Sequence, residues 1–137
     1  MTPYRLAPWA AVACAALAVA SPAASHHSFA MYDAAKSVTI VGAVKEFQWT
    51  NPHPILWVYA DPIKAAPAAL WSVELSSSPG PLSRMGWTKH SLNPGDRVAV
   101  DISPLRDGGL SGALKRVTLL ATGQVLTTTA PIPAASK

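Results

Sequence analysis

The chain has 137 residues, of which 50% are apolar, 13% charged and 7% aromatic, and its formal charge is +4. That is one domain's worth of chain, enough for a single core and too short for a large multidomain enzyme. The positive excess is small and scattered, which speaks against a nucleic-acid surface, and a lone cysteine excludes a disulfide scaffold.

Residues 1–25 have the three-part layout of a secretory signal: a polar start with Arg5, an apolar run from Leu6 to Ala20, then Ser-Pro-Ala-Ala-Ser. The run is shorter than the roughly 20 residues a helical span needs. With no twin arginine, the general secretory route and a periplasmic address are expected. Cleavage after Ser25 leaves small residues at both specificity positions and makes His26 the mature terminus. Cleavage after Ala23 does so too, whereas cleavage after Ala24 puts Pro22 in the way. Cys14 falls inside this segment, so the mature chain has no thiolate and no disulfide. A degenerate lipoprotein box at Ala11-Val12-Ala13-Cys14 is the other reading of that cysteine, but apolar sequence continues beyond it. No membrane span remains after cleavage.

From Ser37 onward the pattern is that of strands. Val38, Ile40, Gly42 and Val44 alternate with their neighbours, and the run continues to Trp49, with Gly42 the expected bend or bulge. Thr50-Asn51-Pro52-His53-Pro54 forces a turn, because neither proline can donate to a ladder. Ile55 to Ala60 predicts a second strand. Ala69 to Ser76 predicts a third, with Trp71, Val73 and Leu75 on one face. The period then changes. Ser78-Pro79-Gly80-Pro81 opens a helical turn or two over 82–87, with Pro81 suited to the first helical position and Gly86 to the end. Leu92-Asn93-Pro94-Gly95-Asp96 and Arg106-Asp107-Gly108-Gly109 are turns. Strands are expected over Arg97–Ile102, with Val98, Val100 and Ile102 inward, and over Ala113–Leu120, with a short piece at Gln124–Leu126. The Thr-, Ala- and Pro-rich stretch 127–137 reads as a disordered tail.

Three strands, a short helix and two strands define an all-β domain over 26–126 with the order of a small OB-like five-stranded β-barrel. A generic small barrel or sandwich is the rival.

Four histidines carry the obvious chemistry: His26, His27, His53 and His90. A terminal His26 offers its α-amine and its ring nitrogen as a chelate, and Cu(II) accepts such tetragonal nitrogen sets. Cleavage after Ala23 gives Ala-Ser-His instead, which supplies an amine, two backbone amides and an imidazole. Copper is therefore the candidate cofactor, with His26, His27 and His53 the candidate ligands. Asn51 or Asp33 is the candidate acceptor for the second nitrogen of a ligating ring. The bland readings are a histidine bonding its own turn at His53 and an exposed loop residue at His90.

Trp49, Asn51, His53 and Trp57 form the candidate surface for a protein or small envelope ligand, although strand tryptophans are more often core. No nucleic-acid partner is expected, since Asp61, Asp96, Asp101 and Asp107 interrupt the cations. No catalytic constellation is visible: there is no Gly-x-Ser-x-Gly elbow and no mature cysteine. Glu74, mid-strand between Val73 and Leu75, is the one acid expected to be half-buried, paired with Arg84 or Arg97.

The strings His26-His27-Ser28-Phe29, Phe47-Gln48-Trp49-Thr50-Asn51-Pro52-His53, Gly86-Trp87, Pro94-Gly95-Asp96 and Arg106-Asp107-Gly108 resemble a family of small exported bacterial proteins known as a domain of unknown function. The resemblance runs from about Ser25 to Leu126. Ala-His-His at the cut is typical there, which supports His26 as the terminus, with Ser25 in place of the alanine. Pro54 stands where the family often has a polar or aromatic residue. The resemblance implies a periplasmic β-barrel-like domain and no known activity, cofactor or catalytic residue.

Overall fold

A computed structural model describes residues 29–63 and 67–129. The expected signal, His26, His27 and residues 130–137 lie outside the described residues. Within them the chain forms strands β1 (Val38–Gln48), β2 (Ile55–Ala60) and β3 (Ala69–Glu74), helix α1 (Pro79–Arg84), and strands β4 (Arg97–Pro104), β5 (Ser111–Leu119) and β6 (Val125–Thr127). Among the described residues a 3-10 turn, Phe29–Met31, precedes β1. No helix among the described residues is long and apolar enough to cross a membrane.

β1 pairs antiparallel with both β2 and β4, β2 with β3, and β4 with β5. β3 and β5 then meet in parallel and close the ring. Five strands closed in this order, with the helix between the third and fourth, make an OB-like barrel. β6 adds an antiparallel pairing along β5. The fold is the all-β, single-helix architecture that the pattern predicts.

Alternation decides which side chains fill the barrel. Leu56 and Val58 of β2, Val73 of β3 and Val98, Val100 and Ile102 of β4 are all fully buried. Each stabilises the fold by about 1.5–3 kcal/mol relative to staying in water. One end of the barrel is capped by α1 and the turn after it. Ser78 is the N-cap and Pro79 sits in the first turn, where its missing N–H costs nothing. At the other end of the helix Gly86 has φ +93°. The Trp87 amide donates to the Leu82 carbonyl at 3.1 Å and the Gly86 amide to Ser83 at 3.1 Å. That is the Schellman stop, which brings Leu82 and Trp87 together. Both are buried, and the Trp87 ring lies 5.8 Å from Phe47. The Trp87 indole N–H donates to the Thr127 carbonyl at 2.7 Å, tying β6 to this cap.

Three boundaries differ from the sequence expectation. The helix starts at Pro79 rather than Pro81, because the first proline already satisfies the requirement of the opening turn. Thr127 belongs to β6, and Thr128 is buried with its hydroxyl on the Leu114 carbonyl, so the ordered chain runs past 126. The bulge of β1 falls between Val44 and Glu46, not at Gly42. Gly42 instead permits close contact: a Cβ there would stand 2.0 Å from the Tyr59 carbonyl oxygen.

Gly42→Ala must therefore push β2 away from β1. We expect a loss of about 3 kcal/mol or more, at the upper end of overpacking penalties. Gly80→Ala, where nothing lies within 4 Å, should be neutral or stabilising by under about 1 kcal/mol. Urea unfolding of both variants, read as midpoints at constant slope, checks the pair.

Candidate functional site

The Thr50–Pro54 turn carries His53 to the outer edge of the β2–β3 pair. The turn contains a cis Asn51–Pro52 peptide. It is held to the end of β3 by the Leu75 amide, which donates to the Pro54 carbonyl at 3.0 Å. The register places Ile55 opposite Glu74. Val73 and Leu75 point into the core, so Glu74 points out, toward the turn. Its Oε1 lies 2.7 Å from His53 Nδ1, and its Oε2 accepts from the Tyr32 hydroxyl at 3.0 Å. A carboxylate can only accept, so the neutral ring carries its proton on Nδ1 and presents Nε2 as a lone pair.

Tyr32 arrives from the segment that precedes β1. That segment is clamped to the β4–β5 loop. The Asp33 amide donates to Pro104 at 2.8 Å, the Arg106 amide to Met31 at 3.0 Å, and Arg106 Nε to the Ala30 carbonyl at 3.0 Å. Phe29, the first described residue, sets its ring edge-on to His53 with centroids 5.3 Å apart. Burial raises the Tyr32 phenol above its ordinary range and its bond to Glu74 pushes the same way, with the Ser111 side chain opposing. Met31, Asn51, His53 and Glu74 share the walls of a shallow cleft of about 310 Å³.

The structure brings some expected residues together and separates others. Asn51 and His53 face this cleft. Trp49 turns inward, packs on the core and sits 5.8 Å from Phe47. Trp57 lies on the outer face of β2, opposite Glu46 and Ser72, and its indole nitrogen is buried with no hydrogen-bond partner among the described residues. His90 lies in the exposed turn after α1, where its amide donates to Thr88 Oγ1. Neither Asn51 nor Asp33 supports the His53 ring. Asp33 faces Lys36 at 3.4 Å and Arg106 at 3.9 Å. The supporting acceptor is Glu74, and Arg97 is taken instead by Asp61. Sequence reasoning found Glu74 but gave it the wrong partner, because only the strand register puts it beside His53. Among the described residues no three His, Cys, Asp or Glu side chains converge on a metal position.

The family of unknown function DUF6152 matches residues 13–115. The chain belongs to this family. No curated protein matches it. Among solved structures, the chain is similar to a crystal form of the mitochondrial single-stranded DNA binding protein Rim1 from S. cerevisiae. Identity is 16% and the TM-score 0.48, over 62% of this chain and 93% of that one. A selenomethionine-labelled crystal of the same protein gives 16% and 0.44 over the same shares.

Replacing Glu74 by Gln removes the negative charge beside Tyr32. The phenol should then titrate lower than in the unchanged protein, while burial still opposes its ionisation. An ultraviolet phenolate titration, with Tyr32→Phe to identify the band, checks this. An unchanged curve would mean that the two side chains do not meet in solution.

Proposed function

We propose that this protein is a small periplasmic binding module, exported by residues 1–25, that holds Cu(II) at its mature N-terminus. In this reading His26 supplies its amine and ring nitrogen, and His27 and His53 complete the set. The supporting observation is the docked segment beginning at Phe29, whose ring lies against His53. His27 is two residues ahead of Phe29, a span of at most about 7 Å, a chain length compatible with the terminal histidines serving the same ion as His53. Glu74 supplies what a ligating imidazole needs, a carboxylate on its other nitrogen. The nitrogen-rich set suits Cu(II), which heads the divalent affinity order.

The alternative is an interaction domain for a protein or small envelope ligand that needs no metal. Trp57 favours it, with a buried indole N–H that lacks a partner among the described residues, as does Tyr59, half-exposed next to it on the outer face. Nucleic acid is a poor candidate for either reading. Arg97 is paired with Asp61, Arg116 with Asp101 and Lys36 with Asp33, which leaves a weak positive field.

A Cu(II) titration of the exported, cleaved protein against a competing chelator tests the metal reading, with intact mass fixing the terminus. Affinity should exceed that of a peptide with the same first residues. It should fall at least tenfold in His53→Ala and by about 10–100-fold in Glu74→Gln. Affinity equal to the peptide's and indifferent to His53 would leave the interaction reading in its place.

A further inference from the structure

Of the three methionines in the chain, Met1 belongs to the expected signal, which leaves Met31 and Met85. Met85 packs against the core at the end of α1. Met31 has no such role, being 39% exposed. It lies in the 3-10 turn Phe29–Met31, where the Tyr32 amide donates to the Phe29 carbonyl at 3.0 Å. Side chains three apart eclipse in such a turn, and the Phe29 and Tyr32 rings lie 5.5 Å apart. Both engage one pair of side chains: Phe29 sits edge-on to His53, and Tyr32 holds Glu74. Met31, from the same turn, enters the wall of the cleft that His53 and Glu74 line. Its backbone is fixed on either side of the peptide. The Met31 carbonyl accepts the Arg106 amide at 3.0 Å, and the Ala30 carbonyl accepts Arg106 Nε at 3.0 Å.

Exposure alone says little about a methionine. Its neighbour in the cleft says more. The His53 ring is 26% exposed, with Nδ1 tied to Glu74 and Nε2 left with its lone pair. A thioether is an uncharged, soft donor on a flexible stem. Thioether sulfur selects Cu(I), and imidazole nitrogen also suits copper. Among the described residues lining the cleft, Glu74 carries the one formal charge. A single positive charge on Nε2 is therefore balanced through the ring, whereas a divalent ion needs a further anion. We propose that Met31 and His53 form a binding site for Cu(I), with the Met31 sulfur and His53 Nε2 as ligands. This rests on the reading that His53 is a copper ligand and adds a second oxidation state to it. Both donors lie among the described residues.

The test titrates the exported, cleaved protein anaerobically with Cu(I) against bicinchoninate, alongside the Cu(II) titration. Met31→Leu, a swap of similar volume at an exposed position, should lower Cu(I) affinity at least tenfold and leave Cu(II) affinity within threefold. His53→Ala should lower Cu(I) affinity at least as much. Met85→Leu should change neither by more than twofold. Copper K-edge absorption of the Cu(I) form should show a sulfur neighbour that disappears in Met31→Leu. A spectrum with nitrogen neighbours alone, or equal loss in Met31→Leu and Met85→Leu, overturns the proposal. If Cu(II) binding needs His53 but Cu(I) binding ignores Met31, this proposal falls and the Cu(II) reading stands. If Cu(II) affinity only matches that of the terminal peptide while Cu(I) binding needs both Met31 and His53, the Cu(II) reading falls and this site stands.

Discussion

The barrel closes on a seam only three residue pairs long. Ser72, Val73 and Glu74 of β3 run parallel to Ser111, Gly112 and Ala113 of β5. Without this seam the strands would form an open sheet with free edges. With it, the buried faces of all five strands meet around one interior. Gly112 of the seam is also pressed against β4 on its other side: a Cβ there would come within 2.5 Å of Ile102 Cδ1 and 2.9 Å of the Ser103 carbonyl. Val73 faces inward from the middle of the seam and is fully buried, so its neighbour Glu74 must face outward. The same closure that completes the core therefore fixes a carboxylate on the surface, at the level where β2 begins.

Two separate pieces of chain converge on that carboxylate, and a third steadies one of them. The β1–β2 turn brings His53, the segment before β1 brings Tyr32, and the β4–β5 loop holds that segment in place through Arg106. Each carboxylate oxygen serves one partner. His53 is thus positioned from β2, from Glu74 and from the ring of Phe29 at once. A side chain fixed by its neighbours in this way has little rotamer freedom left to lose when a ligand arrives.

The strands were legible because their chemistry is local. Val98, Val100 and Ile102 alternate, and all three are fully buried. The bounds of β2, Ile55–Ala60, coincide with the expected ones, since prolines and a polar turn frame them. What was not legible depends on pairing. Gly42 resembles a bulge glycine in sequence. Only the register with Tyr59 and Ala60 reveals that backbone contact is what excludes a side chain there. Trp49 and Trp57 look alike in sequence, yet the bulge after Val44 shifts the pairing by one residue. That shift sends Trp49 inward, while Trp57 stays on the outer face. Glu74 was visible as an odd acid between two core residues, but nothing in the order of residues places it near position 53 or position 32.

The two barrel ends owe their difference to the same asymmetry of the chain. The segment between β3 and β4 carries a helix, and Leu82, Trp87 and Leu92 from it are all buried at the end where β1 finishes. The segments at the opposite end are the approach to β1, the loop after β2 and the β4–β5 loop. The first and last of these are engaged with each other: Tyr32 bridges to Leu105, and Arg106 binds the backbone at Ala30 and Met31. Arg106 is therefore committed to orienting the N-terminal segment toward His53, while Leu110, four residues on, lines a second cleft beside Val38 and Val41. One loop takes part in both concave regions of the molecule, polar at its start and apolar at its end. This division keeps a histidine and a carboxylate in the water-facing cleft, while the described side chains at the other end are mainly apolar, with Asp61 held by Arg97.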